Sequence, residues 1–171
     1  MYNFGMRKRN YIQARNFLKE AKEKIKDFKS ILGRTRKDYE ELRQKEIVCK
    51  AFQDNGNESL RISVTRQCWN HVFNHPVKRP TKIDKIERAL CFPMAIKLLE
   101  KTTTYQEVSR EEDKGGNTFL YFGIIGYVRG NRIKVIIRKQ EKNTDAKYVL
   151  FSFYQMSSAP VRKDEEDEQK V

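Results

Sequence analysis

Histidine and cysteine are scarce in this 171-residue chain, at two and three residues, and Cys49, Cys68 and Cys91 have no Cys-x-x-Cys spacing. That scarcity argues against a closed zinc site or a disulfide framework; the three thiols, in apolar or helical contexts, read as small buried side chains. Long apolar runs are missing as well. The longest, Phe119 to Val128, holds two glycines and falls short of the roughly 18 to 20 residues that a membrane span needs. The opening MYNFGMRKRN has no apolar stretch followed by a small-residue cleavage site, so a cytoplasmic address without membrane attachment is expected.

Other absences narrow the chemistry. No glycine loop of the P-loop or Rossmann kind occurs, and Gly115-Gly116 lies in a polar link with no helix after it, which argues against nucleotide hydrolysis. No carboxylate pair has the spacing of a glycosidase or a two-metal nuclease; Glu111, Glu112 and Asp113 read as a charged loop tip. No serine stands on a sharp glycine-flanked turn, as a serine hydrolase would require. No repeat of about 20 to 50 residues is visible.

What the chain has in quantity is positive charge. Lys and Arg number 36 against 23 Asp and Glu, a formal +13, and a partner carrying phosphate is the first expectation. Residues 1–53 carry net +8, residues 54–160 net +7 and residues 161–171 net −2. These three blocks are expected to be a helical hairpin arm, an α+β domain and an acidic, solvated tail.

In the arm, Tyr11, Ala14, Leu18, Ala21, Ile25, Phe28 and Leu32 recur at steps of three and four, the period of a narrow helical seam. Gly33 then predicts a helix end, Thr35 with Asp38 a new N-cap, and Arg36 to Phe52 a second helix carrying Tyr39, Leu42 and Cys49. The stripe either packs on its own domain or makes an oligomer by docking on a second subunit. In the domain, Leu60 to Val64 alternates as a short strand, Thr65 caps a helix through Phe73, and Thr81 with Asp84 opens another that Pro93 interrupts. TTTYQEV, TFLYFGIIGYV, RIKVIIRK and KYVLFSFYQM follow as strand-like runs, the middle two joined by the tight link Arg129 to Arg132. The expected fold class is α+β: two helices packed on a four-stranded antiparallel sheet, preceded by the helical hairpin.

Two groups of residues are candidates for chemistry. His71 and His75 stand four apart on one predicted helix, so both rings point to one side, near Gln67 and Asn74. Either can act as general acid or base near neutral pH; the competing reading is a pair of surface histidines at a helix end. Beside them Lys78 and Arg79 sit in a loop stiffened by Pro76 and Pro80, an arrangement matched to a phosphodiester. In the sheet, Arg132, Lys134 and Arg138 share one face of the third run, and Tyr148, Leu150, Ser152 and Tyr154 share one face of the last. Coinciding polar faces would grip phosphates and stack unpaired bases, although cross-strand Arg and Tyr are also ordinary sheet decoration.

WNHVFNHP, PMAIKLLEKTTTYQEV, YFGIIGYV, IKVIIRK and YVLFSFYQM in this order resemble the barnase, EndoU, colicin and RelE-like group of small ribonuclease toxins, in its phage-borne and polymorphic-toxin branches. The resemblance covers roughly residues 60–156 and leaves the arm aside. It implies two helices on a curved antiparallel sheet and cleavage of RNA, often tRNA or mRNA, without a metal cofactor. It also implies that His75 or His71 takes the place of a catalytic His or Lys, Arg138 holds the scissile phosphate, and Ser152 and Tyr154 face the cleft. Together these expectations describe a metal-independent endoribonuclease acting through the RNA 2'-hydroxyl, with Lys78, Arg79, Arg132 and Lys134 binding RNA and an acidic antitoxin or immunity protein as partner. The alternative is an RNA-binding or ribosome-associated module that does not cut.

Overall fold

The computed structural model describes residues 18–53 and 59–156. Helical residues 18–23 pass through a 3-10 turn, Lys24–Asp27, into α1 (Phe28–Arg43). Strands β1 (Ile47–Gln53) and β2 (Ser59–Ser63) come next, then helices α2 (Arg66–Phe73) and α3 (Lys82–Lys101). The chain closes with β3 (Glu107–Glu112), β4 (Thr118–Val128), β5 (Asn131–Gln140) and β6 (Tyr148–Gln155). All six strands form one curled sheet in the order β1-β2-β6-β5-β4-β3. It is mixed, because β2 runs parallel to β6 while every other neighbouring pair is antiparallel.

This corrects the expected architecture of a four-stranded antiparallel sheet with two helices behind a helical hairpin. The hairpin's second helix does not exist. Gly33 does not end α1, since Ile31, Leu32, Thr35, Tyr39 and Leu42 continue one stripe across it, and an interior glycine costs only about 1 kcal/mol. Thr35 caps nothing; its hydroxyl donates to the Ile31 carbonyl one turn back, at 2.9 Å. The helix stops instead before Glu46, whose φ of 55° lies in the left-handed region. From there buried Ile47 and Cys49 alternate with exposed Val48 and Lys50, a period of two that makes a strand. Of the seam, Tyr11 and Ala14 lie outside the described residues, as do residues 54–58 and the acidic tail; Ala21 is buried, whereas Leu18 and Ile25 are exposed.

The N-caps in the rest of the chain act as their chemistry requires, but Pro93 does not interrupt the last helix, which runs through it from Lys82 to Lys101. The Thr65 hydroxyl accepts from the Cys68 N–H at the start of α2, and Thr81 with Asp84 forms a full capping box on α3. Helix α3 crosses one face of the sheet, against β1, β4, β5 and β6. There Phe122 and Ile124 of β4, Ile133, Val135 and Ile137 of β5, and Leu150 and Phe153 of β6 are buried with Ala95, Leu98 and Leu99 of α3. The approach is close: a Cβ on Gly126 would stand 2.5 Å from Leu98 Cδ1, so β4 carries no side chain at that crossing. Tyr121, Ile125 and Tyr127 of β4, with Arg132, Lys134, Ile136 and Arg138 of β5, take the other face. No described helix crosses that open face.

Tyr39 ties α1 to this core. It is fully buried, its ring lying 5.1 Å from Trp69 of α2 and 5.4 Å from Phe92 of α3. Its hydroxyl donates to the Thr65 carbonyl at 2.7 Å, and burial pushes its pKa far up, so it stays a neutral donor. Tyr39→Phe is expected to cost about 1–2 kcal/mol of unfolding free energy through the orphaned carbonyl. Tyr39→Ala is expected to cost about 3–5 kcal/mol through the lost ring. Urea titration of both variants checks this, and equal losses would mean that the hydroxyl contributes nothing.

Candidate nucleic-acid interface

Helix α2 is short and two-sided. Cys68, Trp69, Val72 and Phe73 are buried, leaving Gln67 and His71 on the opposite flank. It contacts β6, and β2 pairs with β6 only at Tyr148 and Val149. Phe73 lies 6.3 Å from the Phe153 ring on the helix-covered face, while Gln67 reaches Arg138 on the open face. Contacts on both faces place α2 along the unpaired margin of β6, where it covers a strand edge.

After α2, the His75 ring organises the turn. Its Nδ1 accepts from the Val77 and Lys78 backbone N–H groups at 3.2 and 3.1 Å, and its carbonyl accepts from Arg79 N–H at 3.0 Å. With Nδ1 occupied as an acceptor, the ring carries its proton on Nε2, which is free to donate a hydrogen bond. Lys78 and Arg79 are exposed on this turn, and Arg79 has a φ of 37°.

A bulge in β6 completes the site. Ile137 faces Leu150 and Ile136 faces Ser152, so Phe151 is an extra residue in the ladder. Its ring meets the open-face residues Arg138, at 4.9 Å, and Tyr121, at 5.3 Å. The Arg138 guanidinium is also 4.6 Å from the Phe119 ring, and it donates to Gln67 Oε1 at 2.6 Å. His71 packs against Phe151 at 4.4 Å and lies 5.2 Å from His75, ring to ring. Two imidazoles and a guanidinium held by neutral and aromatic partners thus converge at one corner of the open face.

The electrostatics follow from this arrangement. Partial burial, then the positive charges of His75, Lys78, Arg88 and Arg138, hold the His71 pKa below its ordinary 6.5. The ring is therefore neutral at pH 7, with a nitrogen able to take a proton. Cys68 and Cys91, buried and free like Cys49, are pushed up to about 12 by burial, so they are not nucleophiles at neutral pH.

The other residues singled out in the sequence are spread along the open face. Lys134 faces Tyr154 across the ladder and is ion-paired with Glu107 of β3; Arg132 faces Tyr127 at the β4–β5 hairpin. Ser152, opposite Ile136, lies between the Lys134–Tyr154 pair and Arg138. The expected single face for Tyr148, Leu150, Ser152 and Tyr154 is corrected by the bulge, because one inserted residue reverses the alternation. Leu150 is buried in the core and Tyr148 packs on Phe52 and Phe122, while Ser152 and Tyr154 take the opposite side. Sequence reasoning missed Phe119, Tyr121 and Phe151. The first two were marked only by alternation within TFLYFG, and nothing in the unbroken run VLFSF distinguishes Phe151 from a core residue.

Among the described residues no three His, Cys, Asp or Glu side chains converge as metal ligands, and no helix is long and apolar enough to cross a membrane. Comparison with protein-family models, with curated proteins and with solved structures finds no match in any of the three.

The lowered His71 pKa has a stability consequence. A group that binds its proton less well folded than unfolded contributes fully above its unfolded value and loses that contribution as pH falls through the folded value. Thermal unfolding of the wild type is expected to fall between pH 7 and pH 5.5, above the range of the carboxylates, and the His71→Gln slope is expected to be flatter. Equal slopes would assign the titration to another group.

Proposed function

We propose that the protein is an endoribonuclease that cleaves RNA by attack of the 2'-hydroxyl on the adjacent phosphorus. The observation that carries this reading is the convergence of His71, His75 and Arg138 beside the β6 bulge. RNA supplies its own nucleophile, so the protein need supply only a base, hydrogen-bond donors and positive charge. His71, kept neutral by its surroundings, takes the 2'-proton as the oxygen bonds to phosphorus. The 5'-oxygen leaves and takes a proton from water, while His75, its Nδ1 held by backbone N–H groups, donates its Nε2–H to a phosphate oxygen. Arg138, with Lys78 close enough to act on His71, stabilises the charge of the five-coordinate intermediate. The products are a 2',3'-cyclic phosphate and a 5'-hydroxyl, and the step requires no metal.

The reading rests on the site and not on the family resemblance, whose two-helix, four-strand layout differs from the sheet found here. The same proposal places the enzyme in the cytoplasm with tRNA or mRNA as substrate, and a protein inhibitor would be acidic to match the +13 charge. One observation favours the second reading, an RNA-binding module that does not cut. Arg138 is flanked by two aromatic rings and engaged by Gln67, an arrangement that also suits holding a phosphate without chemistry.

Cleavage of total RNA in EDTA decides between them. Wild type is expected to cut and to leave cyclic phosphate ends, with DNA intact. His71→Ala/His75→Ala is expected to lose about 100- to 10,000-fold in rate, and Arg138→Lys on the order of 100-fold through loss of the planar fork. Intact RNA with wild type, while RNA is bound, would hand the case to the second reading.

A further inference from the structure

Every cation on the open face of β5 has a tyrosine beside it across the ladder. Arg132 faces Tyr127 and Arg138 faces Tyr121, both on β4, while Lys134 faces Tyr154 on β6. Arg132 to Arg138 spans six residues of strand, roughly 20 Å. The tyrosines are most open at the end away from the histidines: Tyr127 is 58% exposed and Tyr154 38%. Tyr127 stands one residue from the end of β4, at the hairpin turn, opposite an arginine that makes no ion pair among the described residues. Its ring, amphipathic and open on one face, is free to take a stacked base.

We propose that this face binds an unpaired RNA strand, laid along β5 with bases stacked on Tyr127 and Tyr154 and phosphates on Arg132 and Lys134, and leading to the histidines at Arg138. The inference deepens the ribonuclease reading by naming its substrate class, and it rests on RNA being the ligand. Alternating ring faces and cations match a single strand, whose bases are free to stack, whereas a duplex offers only its backbone. Charge complementarity supports the same occupant. Glu107, the carboxylate that sits over this track, is spent on Lys134, and the bare backbone of Gly123 leaves room for that bridge: a Cβ there would stand 2.8 Å from Glu107 Oε2. A bound phosphate competes with Glu107 for Lys134, so this carboxylate sets how tightly the middle of the track holds.

The test measures binding of a fluorescent 12-nucleotide RNA and of the same sequence as a duplex, using the full chain with His71→Ala/His75→Ala so that nothing is cut. Unpaired RNA is expected to bind at least about 10-fold more tightly than duplex. Tyr127→Ala is expected to weaken the single strand by about 10-fold, with duplex binding and melting temperature unchanged; Tyr127→Phe restores it. Glu107→Gln is expected to tighten binding by freeing Lys134. Equal affinity for duplex, or no effect of Tyr127→Ala, overturns the platform even if wild type cuts RNA. Tight single-strand binding that depends on Tyr127 upholds it even if wild type leaves RNA whole, in which case the catalytic reading alone fails.

Discussion

The structure turns on the incomplete pairing of β6. Its first residues are held on one side by the parallel strand β2, but that pairing ends at Val149. The remainder would be an open edge inside the fold, with backbone groups and apolar side chains unprotected. The chain solves this by turning at Val64 and Thr65 straight into α2, which lies along the margin β2 vacates. Because the helix stands at an edge, its apolar stripe enters the core through Phe73 while Gln67 and His71 emerge on the open face. The bulge at Phe151 falls along the same stretch. An extra residue beside a neighbouring strand would be crowded; beside a helix it has space, and its ring fills the gap between His71 and Arg138.

That edge would be a weak joint without Tyr39. The ring packs on Trp69 and Phe92, and the hydroxyl reaches the carbonyl of Thr65, the residue that caps α2. Three helices and the β2–α2 turn are therefore tied at one buried point, and α1 belongs to the same core as the sheet. Glu46 makes a second tie at the surface, accepting from Ser63 of β2 at 2.9 Å and from Lys147, just before β6, at 3.2 Å. With the stripe of α1 packed on α3 and that of α3 committed to one face of the sheet, the other is left to water and to whatever the tyrosines and cations engage.

Much of this was legible in the sequence wherever a local rule matched the environment. The caps at Thr65 and at Thr81 with Asp84, the β2 strand, the period-two runs of β4 to β6 and the Arg129–Arg132 turn are short-range features that tertiary contacts did not override, whereas the expected strand TTTYQEV is displaced, β3 lying at Glu107–Glu112 in what reads as a charged link. Residues 47–53 were misread because Tyr39, Leu42 and Cys49 fit a helical period while Ile47 and Cys49 also fit a strand; residues 36–43 are helical, but as a continuation of α1. The decision was made by β2, a partner that no window on the arm contains. His71, His75 and Arg138 were found by residue type and spacing. Their meeting point was not, because a bulge is a matter of register between two strands and leaves no mark in VLFSF.

The site's electrostatics follow from what Arg138 is given as a partner. Lys134, on the same face, meets a carboxylate and its charge is cancelled locally. Arg138 meets the neutral amide of Gln67 and two aromatic rings, which hold the guanidinium in place without an ion pair among the described residues. That charge is part of what lowers the proton affinity of His71. An anion held at Arg138 and Lys78 would offset the same repulsion and raise the proton affinity of His71. A carboxylate in place of Gln67 would orient the arginine equally well but would already offset that charge, so the neutral partner is what leaves His71 sensitive to whatever anion the corner meets.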